Sequence, residues 1–170
     1  DLVINSLLEI ELNYNFTIIG SGVEKSNLQN LIPQSLKHKF HFLDFMPNNE
    51  IFKYMYNSDL LVLPSRNDGW GAVSNEALSN GTPILVSDQC GSASLILKNT
   101  FVGSVFEFNK PNDLKIKLQS FIEEGKITDG KRKKILDWYH KSISPKAGAI
   151  YFTELLKTDN IKPTAPWKKT

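Results

Sequence analysis

Short apolar runs alternate along the chain with longer segments in which apolar residues recur every three or four positions. Four short runs predict β-strands at residues 16–19, 60–63, 84–86 and 103–106, and the alternation of aromatic and polar residues at 40–45 predicts a fifth. The run at 60–63 is continuously apolar, which is typical of a parallel strand that is buried on both faces. Strands that alternate with helices indicate an α/β fold, so we expect a Rossmann-like three-layer α/β/α domain with a mostly parallel sheet.

The helical spacing predicts seven helices, at residues 2–12, 28–36, 50–57, 72–80, 113–124, 126–141 and 144–157, of which the second is interrupted near Pro33. We therefore expect one domain over residues 1–157 and a polar, poorly ordered tail at residues 158–170. The first helical pattern is already under way at Asp1. That start favours a domain excised from a longer protein, with the first strand of its sheet missing or replaced.

The most informative stretch runs from residue 59 to residue 88. It predicts a strand, a loop with two glycines and a proline, a helix capped by Gly81, and a second strand. Parallel sheets bind ligands at such strand ends, and the free N–H groups at the start of the helix suit a phosphate. Two carboxylates, Asp68 and Glu76, bracket the turn between the loop and the helix.

This stretch resembles the donor-site signature of the retaining GT-B glycosyltransferases of the GT4 family (group 1). In that signature an acid precedes Gly-aromatic-Gly, Glu-Ala follows eight residues after the acid, and then comes Gly-x-Pro. The matching residues are Asp68, Gly69, Trp70, Gly71, Glu76, Ala77, Gly81 and Pro83. The first acid of the family is usually Glu, so Asp68 is a conservative departure. The resemblance implies the C-terminal, donor-binding half of a GT-B fold.

The resemblance also implies a ligand, a nucleotide diphospho-sugar with UDP or GDP as the nucleotide. Glu76 would bind the ribose diol, since a carboxylate accepts two hydrogen bonds. Asp68 would hold hydroxyls of the transferred sugar, which makes it the nearest candidate for a catalytic residue. The segment lining the sugar and diphosphate would be Gly69, Trp70, Gly71, Ala72 and Val73. We expect no protein nucleophile, no cofactor and no required metal.

Two other strand ends resemble parts of the family's donor site. The turn with Gly20 and Gly22 would lie beside the nucleotide, although a tight turn into the next helix explains these glycines equally well. The backbone at Phe45 and Met46 would read the nucleobase edge, and the alternative for both side chains is core packing. Asp44 stands where the family usually has Gly, so the resemblance does not define the base.

Two parts of the family's enzymes are not found in this sequence. One is the Arg and Lys that clamp the diphosphate, which belong to the loop after the first strand of this domain. The other is the N-terminal acceptor domain, a partner within the same protein. We therefore expect that the fragment alone does not catalyse transfer.

Composition and charge narrow the class of partner. The 170 residues are 41% hydrophobic and carry a net charge of +2, which gives no argument for binding nucleic acid. The basic run Lys131–Lys134 suggests a solvated helix face, and its alternative is attraction to anionic lipid headgroups or a polyanionic acceptor. Cys90 is the only cysteine, which favours a reducing compartment. We expect a cytoplasmic protein, with peripheral attachment to the inner face of the membrane as the alternative.

The predicted function is therefore the donor half of a hexosyltransferase-type, retaining glycosyltransferase in surface polysaccharide or glycoconjugate synthesis. Two other functions stay open at this point. One is a GT-B-type nucleotide-sugar epimerase. The other is a doubly wound regulatory domain, such as a receiver-like module, although Asp59 and Asp88 do not form the acid cluster that such a module needs.

Overall fold

The computed structural model describes residues 1–110, 112–157 and 163–168 of the chain. Within these residues there are five strands, each parallel to its neighbours: β1 (Phe16–Ile19), β2 (Phe40–Leu43), β3 (Leu61–Leu63), β4 (Ile84–Ser87) and β5 (Gly103–Phe106). Each one lies in a segment where the sequence pattern predicts a strand. The predicted α/β domain with parallel strands is confirmed.

The helices follow the predicted order. They are α1 (Leu2–Leu8), α2 (Lys25–Asn30), α3 (Asn48–Asn57), α4 (Ala72–Ser79), α5 (Asp113–Glu124), α6 (Asp129–Ser142) and α7 (Pro145–Lys157). Helix α1 ends four residues before its predicted end, because Ile10 is buried from a turn in which its N–H bonds the Leu7 carbonyl. Pro33 separates α2 from a 3₁₀ helix at Gln34–Lys39, since proline cannot continue the backbone hydrogen bonding.

Two apolar clusters lie on opposite faces of the strands and define three layers. One cluster joins α1 and α5 to the face that carries Leu85. The other joins α3, α4 and α6 to the face that carries Ile84 and Val86. Neighbouring residues of β4 therefore belong to different cores, as strand alternation requires. Ile84, Leu85 and Val86 are all fully buried.

The strands do not form one continuous sheet. Strands β1 and β2 pair with each other, β3, β4 and β5 pair in that order, and the structure describes no pairing between the two groups. Half-buried side chains of β3 reflect its position at an edge of the second group, although its sequence predicts a strand covered on both faces.

The basic run on α6 contacts its own domain. Lys131 forms a 2.7 Å ion pair with Glu124, Arg132 donates to the carbonyl of Asn80 at 3.2 Å, and Lys134 lies 4.3 Å from the ring centroid of Phe101. Of the four basic side chains, Lys133 is exposed without such a contact. Three of them thus stabilise the packing of α6, and lipid attraction stays a prediction.

Part of the C-terminal segment packs on the domain. Ala165 is buried, and Trp167 packs against the cluster that contains Ile96 and Ile135. The side-chain amide of Asn99 donates to the Trp167 carbonyl at 3.1 Å. Residues 163–168 therefore pack on the domain, in a segment for which the sequence predicts a poorly ordered tail; residues 158–162 and 169–170 lie outside the described residues. Within the described part of the chain, no helix has both the length and the apolar content needed to span a membrane.

Candidate functional site

The turns that follow β1 and β3 lie on the same side of the domain. The carboxylate of Asp1 accepts a hydrogen bond from Arg66, which follows β3, at 2.9 Å, and its amino group lies in the field of Glu24, which follows β1. The turn after β2 joins this side, because Asp44 forms an ion pair of 2.5 Å with Lys25. The predicted site segments therefore gather at the carboxyl ends of the strands.

The loop before α4 is shaped by its own acid. One oxygen of Asp68, Oδ1, accepts hydrogen bonds from the backbone N–H groups of Trp70 at 3.1 Å and Gly71 at 2.7 Å. The other oxygen, Oδ2, has no hydrogen-bond or ion-pair partner among the described residues. The family resemblance implies that Asp68 holds a sugar and that the backbone of Trp70 and Gly71 lines the ligand. In the structure those two donors are already bonded within the loop.

A neighbouring segment holds this loop in place. The N–H of Asp68 donates to the Gln89 carbonyl, and the N–H of Gly91 donates back to the Asp68 carbonyl at 3.1 Å. Beneath the loop, the buried hydroxyls of Ser74 and Ser92 lie 3.0 Å apart. Sequence reasoning missed both serines, because neither belongs to a motif and their contact joins positions eighteen residues apart.

Helix α4 begins with two N–H groups that have no hydrogen-bond partner, because they point out of its amino end. Gly71 precedes the helix with φ +79°, a left-handed conformation that favours glycine. The first hydrogen bond of the helix runs from the Ser74 N–H to the Gly71 carbonyl, so the N–H groups of Ala72 and Val73 have no partner among the described residues. Two donors and the positive end of the helix dipole suit an anion here.

Glu76 lies one helical turn further along α4. Its side chain is half-buried and lines a cavity of about 1130 Å³, together with Val73 and Pro64. Its carboxylate has no hydrogen-bond or ion-pair partner among the residues that the structure describes. Half-buried carboxylates are usually paired within the protein, so this one is available for a ligand.

The other predicted ligand residues are accessible. Phe45 is 79% exposed, which excludes the core-packing alternative for it, whereas Met46 is half-buried. Trp70 is 40% exposed. A Cβ atom added at Gly20 or Gly22 would have no other atom within 4 Å, so neither glycine is required by close packing.

Two charged groups near the site have partners within the protein. Arg66 forms the ion pair with Asp1. The pKa of the Asp88 carboxyl lies below its ordinary value, because it accepts hydrogen bonds from the Gln89 side chain and the Phe108 N–H. Burial raises the pKa of the Cys90 thiol, which favours its protonated form.

Residues 1–136 match the family described as "Glycosyl transferases group 1". The chain belongs to this family of glycosyltransferases. It is 28% identical over 127 residues to a glycosyltransferase of Methanocaldococcus jannaschii. The aligned region covers 75% of this chain and 35% of that protein. It is 35% identical over 89 residues to the O-antigen biosynthesis glycosyltransferase WclY of Escherichia coli, covering 52% of this chain and 24% of WclY. Membership favours a transferase over both alternatives, the epimerase and the receiver-like module.

Solved glycosyltransferases share the fold of this group 1 chain. Anabaena HepE, whose structure was solved in complex with UDP, superposes with a TM-score of 0.72 at 18% identity and covers 92% of this chain. WaaG, a glycosyltransferase involved in lipopolysaccharide biosynthesis, gives a TM-score of 0.63 at 19% identity over 76% of this chain. The matched region is 44% of the HepE chain and 34% of the WaaG chain, so this chain corresponds to less than half of either.

Proposed function

We propose that this chain is the donor-binding domain of a retaining glycosyltransferase and binds a UDP- or GDP-sugar at the carboxyl ends of its strands. The observation that carries the proposal is the arrangement on α4. Two unbonded N–H groups, of Ala72 and Val73, precede the unpaired carboxylate of Glu76 by about one helical turn, or roughly 5–6 Å.

The pair of N–H groups and the Glu76 carboxylate suit two polar parts of a nucleoside diphosphate, the phosphates and the ribose hydroxyls. The N–H groups donate to phosphate oxygens, and the helix dipole stabilises the negative charge that grows on the leaving phosphate. The carboxylate of Glu76 accepts hydrogen bonds from both hydroxyls of a ribose, and bonds to an ionised acceptor are the stronger class. The reported complex of HepE with UDP supports this class of ligand.

Asp68 has two roles in this proposal. Its Oδ1 fixes the loop through the N–H groups of Trp70 and Gly71, while its Oδ2 accepts a hydrogen bond from a hydroxyl of the transferred sugar. Gly69 and Trp70 line the sugar. This positioning by Oδ1 is absent from the sequence-based assignment, in which Asp68 contacts the sugar alone.

The turns after β1 and β2 complete the nucleotide site. Gly20 and Gly22 leave open backbone beside the nucleotide, and the exposed ring of Phe45, with Met46 behind it, offers an apolar surface to the base. The whole enzyme would add an acceptor domain and act in the cytoplasm, with peripheral contact at the inner face of the membrane. It would transfer a hexose during surface polysaccharide synthesis, a proposal supported by the similarity to WclY, of O-antigen biosynthesis, and to WaaG, of lipopolysaccharide biosynthesis.

A nitrogen-15 NMR titration with UDP, GDP and their glucose conjugates tests the proposal, because it detects millimolar binding and locates it. We expect the amide signals of Ala72 and Val73 to shift on addition of at least one diphosphate. Glu76→Gln should weaken binding of the bare diphosphate and the sugar conjugate alike, by about 10- to 100-fold.

Glu11→Gln is the matched control for this titration. Glu11 is exposed and precedes β1, at the opposite end of the strand from the site, so its substitution should leave affinity unchanged. Binding that is unaffected by Glu76→Gln, or shifts confined to residues outside the strand ends, would contradict the proposed site.

A further inference from the structure

An ion pair joins the turns that follow β1 and β2. Lys25, the first residue of α2, donates to Oδ1 of Asp44 at 2.5 Å. The Asp44 side chain is 85% exposed, whereas that of Lys25 is 28% exposed. Among the described residues, Oδ2 of Asp44 has no hydrogen-bond or ion-pair partner. Exposed ion pairs contribute little to folding stability, so stability alone gives no reason for this one.

The proposed phosphate and ribose contacts set the direction in which the base extends. The phosphates lie at the amino end of α4 and the ribose lies at Glu76, so the base lies beyond Glu76. Glu76 lines the cavity of about 1130 Å³ together with Ile19, at the end of β1, and Ile51 of α3. Helix α3 packs beside α4 and begins directly after the turn that contains Asp44. The base therefore extends towards the turn after β2.

The turn after β2 offers an aromatic ring to that base. Phe45 follows Asp44 directly, and its side chain is 79% exposed. An aromatic face stacks on every base, so it supplies affinity but little choice between bases. The choice belongs to polar groups that meet the hydrogen-bonding edge of the base. Asp44, beside the ring, and its partner Lys25 are charged groups in position for that role.

Together the two side chains present a donor followed by acceptors. The Lys25 ammonium only donates, and an ionised carboxylate only accepts, with about four lone-pair sites on its two oxygens. The edge of guanine has the complementary order, in which a carbonyl oxygen is followed by two donors, the ring N–H and the exocyclic amino group. Because Lys25 occupies one site on Oδ1, the Asp44 carboxylate can still accept hydrogen bonds from both guanine donors.

Uracil does not match the same pair. Its edge has one N–H donor between two carbonyl oxygens. When that N–H donates to Asp44, one of the carbonyl oxygens faces the carboxylate, and two acceptors then lie against each other without a hydrogen. A site built from hydrogen-bonding groups rejects a ligand that leaves those groups unpaired.

We infer that Asp44, held by Lys25, selects guanine, so that the donor for this chain is a GDP-sugar. The inference rests on the proposed function and narrows its two nucleotides to one. Asp44 stands where the family usually has Gly, so the selection belongs to this chain and not to the family as a whole.

Inosine diphosphate is the decisive probe, because it differs from GDP only in lacking the exocyclic amino group. Titration of the nitrogen-15-labelled chain with GDP, inosine diphosphate and UDP gives three dissociation constants from the amide shifts of Ala72 and Val73. We expect GDP to bind about tenfold more tightly than inosine diphosphate, the effect of one hydrogen bond to a charged acceptor. We expect UDP to bind more weakly than GDP.

Asp44→Asn changes the hydrogen-bonding pattern without changing the size of the side chain. The amide offers one acceptor and one donor, which suits the N–H and a carbonyl oxygen of uracil better than the two donors of guanine. We therefore expect the preference for GDP over both other diphosphates to fall several-fold.

Glu9→Gln is the matched control for Asp44→Asn. Glu9 is an exposed carboxylate that forms a 2.7 Å ion pair with Lys115, and it lies between α1 and β1, at the opposite end of the strands from the site. Its substitution removes a comparable surface ion pair and should leave all three affinities unchanged.

Three results would overturn the inference while leaving the donor site in place. Equal binding of GDP and inosine diphosphate by the native chain would show that no group reads the amino group. An unchanged preference for GDP in Asp44→Asn would assign that reading to another residue. Tighter binding of UDP than of GDP would reverse the choice of base. A fourth result is distinct from these: if none of the three diphosphates shifted the amides of Ala72 and Val73, the proposed function itself would be wrong, and the inference with it.

Discussion

Gly91 lies against the loop of the candidate site so closely that a Cβ atom there would be 2.2 Å from the carbonyl oxygen of Gly69. The same contact region carries the hydrogen bond from the Gly91 N–H to the Asp68 carbonyl. No atom of a flexible side chain is involved, so the backbone of the loop must move to accept even a methyl group.

We predict that Gly91→Ala destabilises the domain by about 1–3 kcal/mol, the range for overpacking a tight contact, and also weakens ligand binding. Thermal unfolding measures the first effect. Gly130→Ala is the matched control, because no atom lies within 4 Å of its Cβ position and alanine favours the helix in which it stands. If the Gly91→Ala protein were as stable as this control, the loop backbone would move to accept the methyl group at little cost in free energy.

Asp68 supplies the second prediction. Asp68→Ala removes the acceptor for the N–H groups of Trp70 and Gly71, so we expect a loss of about 1–2 kcal/mol in the free energy of unfolding. Asp68→Asn keeps an oxygen in place and should recover most of that loss. Because the loop itself changes, Asp68→Ala should weaken the bare diphosphate as well as the sugar conjugate. An effect on the conjugate alone would show that Oδ1 does not organise the site.

The sequence was sufficient to predict the order of strands and helices, which brings the predicted site segments to the carboxyl ends of the strands. The continuous apolar run at residues 84–86 marks β4 at almost its observed bounds, because burial on both faces leaves no polar alternation to confuse the pattern. Gly71 and Gly81 mark the two ends of α4 because each adopts a positive φ that other residues avoid.

Contacts between distant positions were not predictable in this way. The bonding of Asp68 to its own loop depends on how its rotamer meets two backbone N–H groups, and the sequence motif is compatible with either that contact or a ligand contact. The docking of Trp167 depends on Asn99 and Tyr151, which belong to separate segments of the chain. The prolines and polar residues of this segment predict a poorly ordered tail, and they give no sign of the packing at residues 163–168.

The third prediction concerns acid conditions. The hydrogen bonds from the Gln89 side chain and the Phe108 N–H lower the pKa of Asp88 in the folded state. Its contribution to stability is therefore complete above the unfolded pKa, about 3.9, and is lost as the pH falls through the lower folded value. We expect the difference in melting temperature between the native chain and Asp88→Ala to be largest near pH 7 and to shrink below pH 4. Since Asp88 is exposed, the difference should be small; a difference that grows in acid would contradict this assignment.

The last prediction tests the packing of the C-terminal segment. Trp167 lies edge-to-face with Tyr151 at 5.7 Å between ring centroids, and its carbonyl accepts the bond from the Asn99 amide. The same amide also donates to the Leu95 carbonyl at 3.1 Å, so Asn99 joins the segment to the second core. Because the indole is half-buried, Trp167→Ala should cost about 1–2 kcal/mol, less than the 3–5 kcal/mol of a fully buried tryptophan. Urea unfolding of this variant beside Thr164→Ala, at an exposed position in the same segment, measures the difference. Equal urea midpoints for the two variants would mean that residues 163–168 contribute nothing to the stability of the domain. A lower midpoint for Trp167→Ala alone would show that this segment is part of the folded unit.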